Sequence, residues 1–225
     1  MIEIQPQTTI KPITMMGYEA GVCYNSNVGI EEKNYKRGIH CIETNHGRVL
    51  EFPQIYMTIS GYSARMMREL YTHIAGAPTR VQASTRYIDY NDFKYITPPS
   101  IDSNIEAKTL YDETMEEIRL CATKLEEMGI AKEDVANLYP LGMESKMVLR
   151  TNLRHLIDMS HQRMCTRAYW EYRKFMNELV EALDNYSWEW HNIVEMNVFQ
   201  PKCELFGYCT EQNSCGRKEK KKDEV

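Results

Sequence analysis

Alternating apolar and polar positions predict a strand in the first third of the chain. Ile55, Met57 and Ile59 are apolar and alternate with less apolar neighbours, which is the period of a half-buried strand. We expect Gly61 to end this strand. We interpret residues 1–60 as a whole as mostly strands.

A helical pattern follows at once. Ser63 is a residue type that caps helix N-termini, and the apolar positions after it repeat on one helix face: Met67, Leu70 and Ile74. This helix must end by Ala77, because the proline that follows disfavours helical backbone at the residue before it. A turn then leads into the segment from Thr79 to Tyr90.

A longer helix is predicted after Asp102. Ser103 and Glu106 match a capping box, and Gly129 is a suitable C-terminal stop. Between them the apolar positions follow one face: Tyr111, Met115, Ile118, Ala122 and Leu125. This stripe indicates packing in a core or an oligomer and does not call for a cofactor.

Two more helices are expected, from about Leu149 to Arg163 and from about Ala168 to Leu183. The second carries an apolar stripe: Tyr172, Met176, Leu179 and Leu183. Trp188, Trp190 and Phe199 form an aromatic cluster that we expect to pack on the body. With no repeat and no flexible linker, we predict one domain over residues 1–200. An extension over 201–225 ends in a charged run that we expect to be disordered.

Composition and charge exclude several classes of protein. The chain has 225 residues, of which 43% are hydrophobic and 26% charged, and its net charge is −5. The overall positive charge that is typical of nucleic-acid-binding proteins is therefore absent. No apolar run approaches the roughly 18 residues of a membrane span. No signal peptide is visible at the N-terminus, so we expect a cytoplasmic protein.

Seven cysteines are scattered along the chain, and an odd count in a chain of this length argues against a disulfide framework. Cys203, Cys209 and Cys215 follow a C-x5-C-x5-C spacing, which differs from the tight knuckles of structural zinc sites. A metal site completed by Cys165 is one alternative. Free reduced thiols and no metal are the interpretation favoured by sequence.

The segment from Gln82 to Tyr87 could hold a phosphate. The hydroxyls of Ser84 and Thr85 lie beside Arg86, and arginine pairs well with phosphate oxygens. An exposed strand with alternating polar residues is the competing interpretation, and sequence alone leaves the two even.

A second polar group falls on the predicted helix before Arg163. Arg154 and Asp158 are one helical turn apart, and Asn152 and Arg163 are eleven residues apart, close to three turns. A solvated face with an ion pair is the plainer interpretation. The apolar neighbours of these residues instead favour a partly buried site for an anionic or heteroaromatic group.

Motifs for other chemistry are missing. There is no P-loop, no dinucleotide-binding glycine fingerprint, no metal-binding histidine pair on a helix and no recognisable cysteine nucleophile. If the protein is an enzyme, a cofactor is therefore expected to carry the chemistry.

The order of several segments resembles the flavin-dependent thymidylate synthases, the ThyX family. They are Arg68-Glu-Leu-Tyr-Thr-His73, Gln82-Ala-Ser-Thr-Arg-Tyr87, Leu138-Tyr-Pro-Leu141, Asn152-Leu-Arg154 and Arg163-Met-Cys-Thr-Arg-Ala-Tyr-Trp-Glu171. The last is similar to the family's LR-x-C-x-RAQWEIR segment. The resemblance covers roughly residues 15 to 185.

The resemblance implies an α+β fold, with a twisted mixed sheet flanked by long helices, assembled as a homotetramer whose active sites lie where subunits meet. It also implies an enzyme that binds FAD and uses NADPH and methylenetetrahydrofolate to methylate dUMP at C5, giving dTMP. No enzyme cysteine attacks the pyrimidine in this family, which agrees with the missing nucleophile.

Site residues follow from the same resemblance. Arg163 matches the catalytic arginine that polarises the uracil. The dUMP-binding positions are Glu69, Thr72, Gln82, Ala83, Ser84, Thr85, Arg86 and Arg163. The FAD-binding positions are His73, Arg80, Gln82, Asn152, Arg154 and Asp158, with Asp158 at a place where the family usually has Asn.

The chain also departs from the family. The signature Arg-His-Arg becomes Thr72-His73-Ile74, with two residues inserted before Ser84, and Arg80 is the nearest substitute. Phe52 stands where the family has a histidine, and Ala136 stands where it has a dUMP-contacting arginine from a neighbouring subunit. These changes keep two alternatives open: a flavoenzyme of the same fold acting on another pyrimidine nucleotide, and a non-catalytic flavin- or nucleotide-binding protein.

Overall fold

The computed structural model describes residues 1–221 and divides them into two compact units. Unit 1 comprises residues 1–58, 73–80 and 149 to the end of the described residues. Unit 2 comprises residues 59–72 and 81–148.

The chain forms an open four-stranded sheet in the order β1-β2-β4-β3, with helices throughout. The strands are β1 (Ile2–Ile4), β2 (Gln54–Ser63), β3 (Thr79–Gln82) and β4 (Glu144–Asn152). The helices are α1 (Pro12–Cys23), α2 (Glu31–Glu43), α3 (Ala64–Leu70), α4 (Pro99–Asp102), α5 (Ile105–Glu127), α6 (Lys132–Val135), α7 (Leu153–Arg163), α8 (Trp170–Asp184), α9 (Trp188–Glu195) and α10 (Lys202–Phe206).

Strands β2 and β4 run antiparallel. The amide of Ala64 donates to the carbonyl of Met143 at one end, and the amide of Leu153 donates to the carbonyl of Pro53 at the other. The sheet is open and antiparallel, and the predicted α+β class is confirmed.

The core of unit 1 includes the predicted stripe of α8, whose four members are all fully buried: Tyr172, Met176, Leu179 and Leu183.

Helices α1 and α2 pack closely through glycines. A Cβ added to Gly17 would overlap the carbonyl of Asn34, and one added to Gly38 would overlap the carbonyl of Ile13. Larger residues at these two positions would therefore force the helices apart.

The interpretation of residues 1–60 as mostly strands is wrong, because α1 and α2 occupy much of that range. The buried residues of helix α1 all lie on one half of the helix. Its exposed half also carries apolar residues, Met15, Tyr18 and Val22, so its sequence lacks the contrast between faces that marks a helix. Pro12 lies in its first turn, where proline is tolerated. Helix α2 instead begins with two glutamates, which suit the positive end of the helix dipole.

The boundaries around β2 are partly as predicted. The strand starts near Ile55 but continues through Gly61, which adopts φ = +76°, to Ser63. Ser63 caps α3 as predicted, accepting a hydrogen bond from the amide of Met66 at 3.1 Å. Helix α3 ends at Leu70, and Ile74 lies beyond it with its side chain exposed.

The long helix of unit 2 is confirmed with a different cap. Asn104, not Ser103, is its N-cap and accepts from the amide of Ala107 at 3.1 Å. Gly129 follows the helix with φ = +84°, as a C-terminal stop requires. Within the predicted stripe Met115 and Ala122 are buried, so the stripe is core packing of this unit.

The aromatic cluster after α8 is only partly confirmed. Trp190 is fully buried and Phe199 nearly so, but Trp188 is 66% exposed and stacks on Tyr35. The predicted disordered end covers residues 217–225, of which 222–225 lie outside the described residues. None of the helices described over residues 1–221 is long and apolar enough to cross a membrane.

Candidate active site

Asn152 is the last residue of β4 and caps α7. Its backbone is extended, and its Oδ1 accepts from the amide of His155 at 2.9 Å. The expected helix from Leu149 therefore starts at Leu153, and Asn152 does not share a helix face with Arg163. The sequence alone could not show whether Asn152 caps the helix or lies within it, because asparagine occurs both at N-caps and on polar helix faces.

A tight loop approaches this cap. Gly76 has φ = +69°, and its carbonyl lies 3.5 Å from Asn152 Nδ2. A Cβ at this glycine would stand 2.7 Å from the same nitrogen. The loop can come this close to Asn152 because residue 76 has no side chain.

A cavity of about 230 Å³ opens between this loop and the start of α7. It is lined by seven residues of unit 1: Glu51, Ala75, Gly76, Asn152, Arg154, His155 and Asp158. Three residues predicted to bind FAD, Asn152, Arg154 and Asp158, therefore meet at one cavity. Arg154 pairs with Glu51 at 3.4 Å.

His155 was missed by sequence reasoning, because it belongs to none of the motifs that point to the site. It lines the cavity and its Nδ1 lies 2.6 Å from Thr151 Oγ1. Burial lowers the pKa of His155 and the charge of Arg80 adds to this, whereas Asp158 acts in the opposite direction. The one available signal was its place beside Arg154.

The next cluster of unit 1 joins three predicted site residues. Arg163 Nε donates to His73 Nε2 at 2.8 Å, and Arg80 donates through Nη2 to the His73 carbonyl. Burial, followed by repulsion from neighbouring basic groups with Arg163 first, lowers the pKa of His73 to about 4. The ring is therefore neutral near pH 7, with Nε2 as the acceptor and the proton on Nδ1.

The ring of Tyr172 packs against two members of the same cluster. The guanidinium of Arg163 lies over its ring at 4.7 Å from the centroid, and the ring of His73 packs against it at 5.7 Å. Tyr172 is fully buried and its hydroxyl contacts Met159 Sδ at 3.1 Å. A buried ring fixes the plane of the guanidinium, which a flexible aliphatic side chain could not do.

The candidate phosphate loop lies in unit 2 and begins as a strand. Strand β3 ends at Gln82, whose Nε2 donates to Ser145 Oγ at 2.9 Å, and the amide of Ala83 donates to the carbonyl of Lys146. The strand interpretation therefore holds to Gln82, and Thr85 lies in the turn that follows.

Two polar contacts shape that turn and the nearby helix end. Ser84 Oγ accepts from the amide of Arg86 at 3.2 Å, and Arg86 Nε donates to Glu133 Oε2 at 2.7 Å. At the end of α3, Thr72 Oγ1 donates to the carbonyl of Glu69 at 2.7 Å. The ion pair with Glu133 is exposed and contributes roughly 0.2–1 kcal/mol, so a stronger anion could displace the carboxylate.

Comparison with models of known protein families assigns the chain to one family. The family model described as "Thymidylate synthase complementing protein" matches residues 7–186, and the chain belongs to this family.

Two relatives that are named as flavin-dependent thymidylate synthases agree with this assignment. The flavin-dependent thymidylate synthase of Nitratidesulfovibrio vulgaris is 30% identical over 189 residues, covering 78% of this chain and 73% of the relative. That of Clostridium tetani is 27% identical over 237 aligned positions, covering 93% and 90%.

Solved structures support the fold. Thymidylate synthase X from Helicobacter pylori, crystallised with FAD and dUMP, has a TM-score of 0.70 at 16% identity. The likeness covers 88% of this chain and 99% of that one. The α+β fold expected from the resemblance is therefore the fold of this chain.

Proposed function

We propose that this chain is a FAD-dependent thymidylate synthase, an NADPH-oxidising methyltransferase. It methylates dUMP at C5 to give dTMP, with methylenetetrahydrofolate as the carbon donor. The observation that carries the proposal is Arg163 held between a neutral histidine and a buried tyrosine, in a chain that matches the family model over residues 7–186. The resemblance matches Arg163 to the family's catalytic arginine. We further propose that it works in the cytoplasm as a homotetramer.

The cavity beside Asn152 suits part of a flavin. Its lining combines an amide, a guanidinium, an imidazole and two carboxylates, which offer donors and acceptors to the polar edge of a flat ring. At about 230 Å³ the cavity is smaller than a typical ligand pocket of 300–1,000 Å³, so most of FAD would lie beyond it. Asn152, Arg154 and Asp158 would hold FAD there, and Gln82 and His73 are the further positions implied by the resemblance. When bound, FAD supplies the hydride that completes the methyl group.

Arg163 would act on the pyrimidine. As C5 of dUMP becomes nucleophilic, negative charge develops on the ring, and a fixed positive charge beside it stabilises that charge. His73 orients Arg163 through Nε2 without neutralising it, because the histidine itself is uncharged near pH 7. A carboxylate in the same place would orient the arginine equally well but cancel its field.

Arg80 would replace the missing signature arginines. We propose that it reaches a phosphate of FAD or dUMP. Its hydrogen bond to the His73 carbonyl would hold it near the segment where the signature arginines are missing. Burial of an arginine is costly without an anionic or carbonyl partner, so a phosphate is a favourable addition.

The dUMP phosphate would bind at the loop after β3. Ser84 and Thr85 offer hydroxyls and Arg86 a guanidinium, with Gln82, Ala83, Glu69 and Thr72 as the other dUMP positions implied by the family. A phosphate carries more negative charge than a carboxylate, so it would compete with Glu133 for Arg86.

Absorbance spectroscopy tests the proposal. The purified protein should be yellow, its flavin band should bleach with NADPH, and reaction with dUMP and methylenetetrahydrofolate should yield dTMP. A colourless protein that never takes up FAD would contradict every enzymatic interpretation. A flavin that bleaches but gives no dTMP would favour another pyrimidine substrate, in keeping with the alanine at position 136.

A further inference from the structure

Arg150 lies on β4, two residues before Asn152, and is not one of the seven residues that line the proposed flavin cavity. Its neighbours Leu149 and Thr151 are buried, whereas Arg150 is half-buried, in keeping with the alternation of side chains along a strand. In the sheet β4 lies between β2 and β3. A long side chain at this position can therefore reach residues on both neighbouring strands.

On one side the guanidinium of Arg150 binds the loop that forms part of the cavity. Its Nη2 donates to the carbonyl of Ala77 at 3.0 Å and to Thr79 Oγ1, also at 3.0 Å. Ala77 directly follows Gly76, a lining residue of the cavity. Hydrogen bonds from a charged donor are stronger than those between neutral groups, so this pair fixes the chain just after the lining residue.

The conformation of this loop requires contacts from outside the loop. Gly76 and Ala77 are consecutive residues in the left-handed region, with φ = +69° and φ = +48°. This region is unfavourable for alanine, because its Cβ comes too close to the following carbonyl oxygen, and such a backbone persists only where the surroundings impose it. Both residues are exposed, so burial does not hold them. Arg150 binds the carbonyl of the strained alanine itself.

On the other side Arg150 reaches a second lining segment through a glutamine. Its Nη1 donates to Gln54 Oε1 at 3.4 Å. Gln54 Nε2 in turn donates to the carbonyls of Glu51 at 2.8 Å and Phe52 at 3.2 Å. Glu51 lines the cavity, as Gly76 does. One planar guanidinium thus connects both segments, which its rigid fork of N–H groups allows and a single ammonium does not.

We propose that Arg150 is a positioning residue for FAD, which holds the walls of the cavity in place before the cofactor binds. The inference rests on the proposed assignment of this cavity to the flavin. Arg150 fixes one wall at Ala77 and Thr79, and the other through Gln54 and Glu51. A cavity that is already ordered loses less freedom when FAD binds, so its affinity for FAD is higher. Arg150 acts through these residues rather than by contact with the flavin.

The test is titration of apoprotein with FAD, followed by flavin fluorescence. Arg150→Met keeps a long side chain without donors, and it should bind FAD roughly tenfold more weakly, on the scale of the ordering costs of binding. Arg150→Lys should fall between this variant and the wild type, because an ammonium can bind the oxygens of Ala77 and Thr79 but lacks the fork that also reaches Gln54. At saturating FAD, kcat should stay within about twofold of the wild-type value, since Arg150 acts on the cavity and not on the reacting atoms.

Arg37→Met is the matched control. Arg37 is also a half-buried arginine of unit 1 that donates to one carbonyl and one side-chain oxygen, those of Gly17 at 2.7 Å and Asn34 at 2.9 Å. It lies outside the cavity lining, so this variant should keep wild-type FAD affinity. Hydrogen exchange of the apoproteins gives a readout that needs no flavin. Residues 75–80 should exchange faster in Arg150→Met than in the wild type or in Arg37→Met.

If Arg150→Met fails to fold, Arg150→Lys carries the same two measurements with a smaller expected loss. Wild-type FAD affinity in the folded Arg150 variants, an equal loss of affinity in Arg37→Met, or unchanged exchange of residues 75–80 would each overturn the inference. A wild-type protein that binds no FAD would overturn the proposed function and the inference together. A wild-type protein that binds FAD no better than Arg150→Met does would overturn the inference alone.

Discussion

Adding one methyl group at Gly76 perturbs the proposed flavin cavity more selectively than removing any of its charged groups. Gly76→Ala has two separable effects. The left-handed backbone at φ = +69° costs an alanine about 1–2 kcal/mol, and the new Cβ stands 2.7 Å from Asn152 Nδ2. Because such a contact is too close to persist, either the loop or the Asn152 side chain must move.

Gly129→Ala is the matched control. It has the same kind of backbone, φ = +84°, but a Cβ there has nothing within 4 Å. Both variants should therefore lose about 1–2 kcal/mol from backbone strain, or roughly 2–8 °C of melting temperature for a chain of this size. Only Gly76→Ala should also lose FAD affinity, by tenfold or more if displacement of Asn152 costs about 1.4 kcal/mol of binding.

The assay is titration of apoprotein with FAD by flavin fluorescence, beside a melting curve without FAD. Equal FAD affinity in Gly76→Ala and Gly129→Ala would refute the assignment of this cavity to the flavin. A melting temperature unchanged in both would refute the estimate of strain.

Three further predictions concern the arginine cluster. Arg163→Ala should abolish dTMP formation while FAD stays bound, measured by product assay and flavin absorbance; undiminished turnover would remove Arg163 from the mechanism. Arg80→Ala should weaken binding of FAD or dUMP in titrations, and wild-type affinity for both would show that Arg80 does not stand in for the missing arginines. His73 has a folded pKa near 4, below its usual 6.5, so the unfolded state takes up a proton first as pH falls. The free energy of unfolding should therefore decrease by up to about 3 kcal/mol between pH 6.5 and 4. In His73→Gln this part of the pH dependence should vanish, as measured by urea unfolding at each pH. An identical pH profile in both proteins would contradict the neutral histidine.

Local signals predicted the parts of the fold that are set locally. The stripe of α8, the cap at Ser63 and the stop at Gly129 depend on neighbours within a few residues, and all three are confirmed. Helix α1 was missed, because the exposed apolar residues Met15, Tyr18 and Val22 remove the periodic contrast that marks a surface helix.

Long-range contacts decided the rest of the site. Sequence and family resemblance selected Arg154 and Arg163, but their partners are remote: Glu51 lies 103 residues from Arg154, and His73 lies 90 residues from Arg163. No periodicity links positions so far apart, since only the packed sheet and helices bring them together. The same holds for Cys165, which lines one cavity with Cys203, Cys209 and Cys215 although their spacing does not show it.

Tritium release from dUMP labelled at C5 tests the central claim most directly, because the label leaves only when a carbon is added at that position. We predict release by the purified protein that requires FAD, NADPH and methylenetetrahydrofolate together, and none from Arg163→Ala carrying bound flavin. A flavin-loaded wild-type protein that bleaches with NADPH yet releases no tritium would contradict its assignment as a thymidylate synthase.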